Sequence, residues 1–123
     1  MSHWMWFVFP QIAGLGTSWM SRHYAIGSLA EARAYLTHPL LGARLLECTR
    51  LVVAAAAGSA EEIFGGIDAV KLRSSMTLFH LADPSQPAFG DVLNGYFDGQ
   101  PDVVTIARLE AMDRTPNGPR AVP

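Results

Sequence analysis

The sequence predicts an all-α fold, a compact multihelical single domain of about six short helices. Three observations predict it. Apolar residues recur at helical spacing through the middle of the chain, and serine–glutamate capping boxes stand ahead of two of those runs. Prolines and glycines divide the runs into segments of helix length. Strand-type alternation is sustained nowhere.

The first helix opens at "SLAEARAYL", with Ser28 as cap and Glu31 three residues on. It should end near Thr37, because Pro39 disfavours helical geometry at the residue before it. Pro39 suits the first turn of the next helix, about 39–56, with His38 as its cap, although histidine is not a favoured one. The apolar face of that helix is Leu41, Leu45, Cys48 and Val52, and Gly58 stops it. "LVVAAAA" is read as helix because its alanines continue the periodic turns before it. Ser59 and Glu62 form the second capping box, on a short helix broken by Gly65 and Gly66. Asp68 can cap the helix that runs to Ala82, before Asp83-Pro84. Two more follow, opened by Pro87 and Pro101 and separated by Asp98-Gly99. The domain spans residues 1–113, and the Pro- and Gly-rich stretch 114–123 reads as a disordered tail.

Composition narrows the function classes. In a chain of 123 residues, 50% are hydrophobic and 16% charged, enough apolar content to form one core without staples. A net charge of -2, with basic residues spread along the chain, gives no reason to expect a nucleic-acid or polybasic membrane surface, and leaves room for a locally basic groove. Cys48 is the single cysteine, which excludes an internal disulfide and a thiolate zinc cage. It enters an apolar helix face, so an inert buried thiol in a reducing, cytoplasmic setting is expected.

Near the start, "HWMWFVFPQ" packs aromatic side chains where chains usually fray. No basic residue precedes Trp4, and Pro10, Gln11 and the following glycines stop the run far short of a spanning length. Signal peptide and membrane span are thereby set aside. The run is either core or the wall of a site.

The helix 68–82 carries the most chemistry. Leu72, Met76 and Phe79 make its core stripe. Lys71, Ser74 and Ser75 share a second face, and Arg73, Thr77 and His80 a third. Hydroxyls are mediocre inside helices, so "SSMT" asks what uses them. One answer is close helix packing with bonds back to carbonyls one turn earlier. The other is a lysine and two serines facing a phosphate or sugar. Arg44, Glu47 and Arg50 form a solvated, self-paired face by default. Arg44 stands out because Gly42 beside it costs helix stability, which suggests close approach by another element or a ligand. No helical pair of histidines has zinc-ligand spacing, and no nucleophile elbow, P-loop or Rossmann glycine pattern is present. "GLGTS" at 14–18 is only a fragment of a phosphate loop. No metal and no cofactor are expected.

The long motifs "HWMWF.FPQ", "YAI.S", "HP.LG.RL", "IFGG.D..K" and "SSMTLF" closely resemble the family called domain of unknown function 1810, members of which have sometimes been labelled calpastatin. The resemblance runs from His3 to about Thr105 and implies a small multihelical bacterial protein with no established activity. Members carry a further amphipathic helix and a basic stretch before the aromatic motif, so this chain has either a late start or a lost helix. Uncovered aromatics would then form an apolar patch and favour self-association. A fainter likeness, over "EARAYLTHPLLGARL" and the following helix with Asp and Lys, links the chain to the NADAR family, whose members act on N-glycosidic bonds of ribose and ADP-ribose derivatives.

Two functions follow. The first is a non-catalytic binding or interaction module, since no nucleophile–base constellation is present. The alternative is a small enzyme that binds or hydrolyses a nucleotide or ADP-ribose-type N-glycoside. Its cleft would use Trp4, Trp6, Gln11, Arg44, Lys71, Ser74 and Ser75, with Glu47 or Asp68 as acid/base.

Overall fold

The computed structural model describes residues 9–12, 25–55 and 66–114. Five helices are described: α1 (Leu29–Thr37), α2 (Leu41–Ala55), α3 (Gly66–Ala82), α4 (Pro87–Phe97) and α5 (Val103–Arg114). The all-α class is as predicted. The helix expected from Ser59, "GLGTS" and residues 115–123 of the expected tail lie outside the described residues, as do Trp4 and Trp6, while Arg114, placed in that tail by the sequence, is the last residue of the final helix. Among the described residues the one β contact is an isolated parallel bridge between Ile12 and Ile26. There the Ile26 amide donates to the Gln11 carbonyl at 2.8 Å.

The helix starts follow from side-chain caps. Ser28 Oγ accepts from the Glu31 amide at 3.0 Å, and Glu31 reaches back to the Gly27 amide, so α1 opens on the predicted box. His38 Nδ1 accepts from the amides of Leu40 and Leu41 at 3.2 and 3.1 Å, while its carbonyl accepts from Gly42. His38 therefore caps the turn at Pro39 and Leu40 that leads into α2, which begins two residues later than the expected position 39. α3 begins two residues before the expected Asp68 cap. Asp68 sits inside the first turn instead, where the helix dipole favours a carboxylate. Pro101 likewise lies outside α5, and Asp102 caps it by accepting from the Thr105 amide at 3.0 Å.

Four helices close a ring around the core: α1 packs on α2, α2 on α4, α4 on α3, and α3 on α1. Leu72, Met76 and Phe79 of α3 are wholly buried inside it, as their spacing predicts. The Phe79 ring lies between Tyr35 of α1 and Phe89 of α4, with centroids 5.7 and 5.8 Å away. On α2 the buried positions are Gly42, Leu45, Thr49 and Val52. Leu41 and Cys48 are only half-buried, so the stripe is turned one position from the expected one, because Gly42 takes the crossing with α1. Two long-range bonds tie the ring. Tyr96 Oη donates to the Val52 carbonyl at 2.7 Å, and Arg33 Nε donates to the Ala82 carbonyl, at the free end of α3, at 3.2 Å.

α5 packs on the outer side of α3, and the seam is polar. Asp102 Oδ2 accepts from Ser74 Oγ at 3.0 Å and Thr105 Oγ1 at 2.6 Å, and the Asp102 amide donates to Thr77 Oγ1 at 2.8 Å. Arg73 adds a bond from Nε to the Gln100 carbonyl at 2.9 Å and lies over the Phe97 ring. The turn before it ends α4 with Asp98 in the left-handed region (φ 54°) and Gly99 at φ 73°, whose amide closes on the Leu93 carbonyl.

Candidate functional site

The first half of α3 places Asp68, Lys71 and Ser75 on one side of the helix, since residues three, four and seven apart share a face. Lys71 Nζ stands 3.8 Å from Asp68 Oδ1, and the two side chains are only 19% and 15% exposed. A cation and an anion thus lie together in a largely desolvated position, one turn from the Ser75 hydroxyl.

Ser75 is wholly buried, and its Oγ has no hydrogen-bond partner. Other buried hydroxyls show what it forgoes. Thr49 and Thr77 each donate to the carbonyl four residues earlier, at 2.7 and 2.8 Å. An unmet buried hydroxyl costs about 1–3 kcal/mol, so native interiors seldom leave one. Gln11 repeats the pattern: its side chain is 3% exposed and its Nε2 is unpartnered. Gln11 lies between Phe9 and Ile12, which join the same apolar cluster as Leu72 and Met76 of α3.

The other candidates are placed elsewhere. Ser74, expected beside Lys71 and Ser75, gives its hydroxyl to Asp102, because the next helical position points about 100° away and α5 lies there. Arg44 and Glu47 lie exposed on α2 with Arg50, and no ion pair joins the three, so that face is solvated but not self-paired. The close approach signalled by Gly42 is made by the end of α1. Trp4 and Trp6 belong to the segment outside the described residues.

Two features escaped the sequence. Burial holds the Tyr35 phenol above its usual value, against the lowering effect of the Arg44 guanidinium and with a small raising effect from Cys48. Arg44 and Cys48 act from α2 on a phenol of α1, nine and thirteen residues away in the chain, so no local pattern signals the effect. His80 has a buried Nδ1 without a partner, its ring set against Gly90 of α4, where a Cβ would come 3.2 Å from Cε1. A histidine with no sequence neighbour of its kind carries no signal of that contact. Among the described residues no group of three or more His, Cys, Asp or Glu is arranged to hold a metal ion, and no helix is long and apolar enough to cross a membrane.

A family model described as "Protein of unknown function (DUF1810)" matches residues 1–109. The crystal structure of the conserved hypothetical protein Rv1873 from Mycobacterium tuberculosis is similar at 53% identity, over 88% of this chain and 77% of that one, with a TM-score of 0.85. Among curated proteins none is significantly similar.

Proposed function

Because the chain belongs to the DUF1810 family, whose description names no activity, we propose its function from geometry: it is a binding module for a polar small molecule of nucleotide or ribosyl type. Asp68, Lys71, Ser75 and Gln11 form the site. The observation that carries this is the pair of buried, unpartnered polar groups, Ser75 Oγ and Gln11 Nε2, with Ser75 one turn from a largely buried ion pair. Each ribosyl hydroxyl offers one donor and two acceptor lone pairs, so a neighbouring pair of them can between them meet a serine, an amide N–H, a lysine and a carboxylate. Unmet groups of this kind are stable liabilities that a bound ligand relieves.

The test is a thermal-shift titration with adenine nucleotides and ADP-ribose at millimolar levels. Binding to the native state raises the melting temperature with ligand concentration. The shift should disappear in Lys71→Ala and Ser75→Ala. Ser75→Ala alone should also melt higher than the parent without ligand, since the unmet hydroxyl is gone. No shift with any of these ligands, or a shift kept by both variants, overturns the proposal. Release of the base from an N-glycoside would convert the binding module into the enzyme alternative, with Asp68 as its acid/base.

A further inference from the structure

α1, the C-terminal end of α3 and α5 enclose an open groove of about 610 Å³ on a side of the fold that shares no residue with the site above. Small-molecule sites occupy about 300–1,000 Å³. The walls are apolar, from Leu81 of α3 and Ile106, Leu109 and Met112 of α5. Two charges line it, Arg33 on α1 and Glu110 on α5. They are not within ion-pair distance of each other, and among the described residues no carboxylate pairs with Arg33. The Arg33 guanidinium is nevertheless held in place, because its Nε donates to the Ala82 carbonyl. Fixing Nε leaves the two Nη groups as a pre-oriented fork, the geometry that takes a carboxylate. Glu110 lies on the other helix and repels an anion, which orients a bound carboxylate toward the α1 wall.

We propose that this groove binds a free medium-chain carboxylate, its carboxylate on Arg33 and its alkyl tail against Leu81, Ile106, Leu109 and Met112. An alkyl tail matches the apolar wall, and charge complementarity with a fixed, otherwise unpaired guanidinium selects the headgroup.

Calorimetric titration of the full chain with octanoate, decanoate and octylammonium tests it. Decanoate should bind roughly tenfold tighter than octanoate, since each buried methylene contributes about 0.8 kcal/mol. Octylammonium should not bind. Arg33→Gln should weaken decanoate about tenfold or more, and Glu110→Gln should tighten it two- to fivefold, as removal of an exposed repulsion does. Leu81 is 37% exposed, so Leu81→Trp fills the groove while the fold is retained, and it should abolish binding. Lys71→Ala should leave carboxylate binding unchanged, which separates this site from the nucleotide site. Equal binding of octylammonium, no dependence on chain length, or unchanged binding by Leu81→Trp would each overturn the proposal.

Discussion

A methyl group on Gly42 would stand 2.1 Å from the carbonyl oxygen of Leu36. The atom in the way is backbone, so it cannot rotate aside, and α2 crosses the end of α1 only because position 42 has no side chain. Gly42→Ala should therefore destabilise the fold by about 1–3 kcal/mol, although alanine is the better helix former. A urea midpoint at or above that of the parent would show that the elbow can open.

Asp102 links helix start to helix packing. Its carboxylate caps α5 and accepts from Ser74, and its amide donates to Thr77. Asp102→Ala should cost about 2–4 kcal/mol, the sum of a lost cap and lost charge-assisted bonds. Asp102→Asn keeps one acceptor and should cost less. In a double-mutant cycle, Ser74→Ala should be less costly on the Asp102→Ala background than on the parent, and strict additivity would refute the coupling.

Asp98 is a non-glycine residue at φ 54°, at the end of α4. Glycine occupies that region without steric cost, and an anion is misplaced at the negative end of a helix. Asp98→Gly should raise stability by about 0.5–1 kcal/mol, read as a higher melting temperature. A lower one would mean that the aspartate side chain is itself holding the turn.

Tyr35 has a folded-state pKa above the unfolded phenol value, near 10, chiefly from burial. Below that value both states are protonated, and the group contributes no pH dependence. Above it the unfolded chain loses the proton first, so stability falls as pH rises through the unfolded value and on toward the folded one. The parent should thus lose more stability than Tyr35→Phe between pH 9 and pH 11. Equal losses in urea midpoint would place the phenol in water.

The ring of helices was legible because its signals are local. Ser28 with Glu31, Pro39 behind His38, and the Leu72–Met76–Phe79 spacing each act within one or two turns. The candidate site was legible only in part. Ser74 and Ser75 are adjacent and chemically identical, and what separates them is the position of α5, a long-range fact absent from the local pattern. Gly42 was recognised as a contact point, but nothing local says that α1 rather than a ligand fills the space. The Arg33 groove draws on helices far apart in the chain, so no spacing rule reaches it.

The polar seam of α5 has a dynamic consequence. Among its described side chains only Thr105 is fully buried, whereas Val103 and Val104 are 72% and 52% exposed. Leu109 and Met112 pack against the core only half-buried, and a helix with so few fully buried side chains can detach at a lower free energy than the whole domain. Its amide protons should exchange with solvent through that partial opening, while those of α3 wait for global unfolding. Because α5 supplies one wall of the groove, each such excursion also erases the pocket, and any molecule seated there would slow the exchange of α5 in proportion to its occupancy.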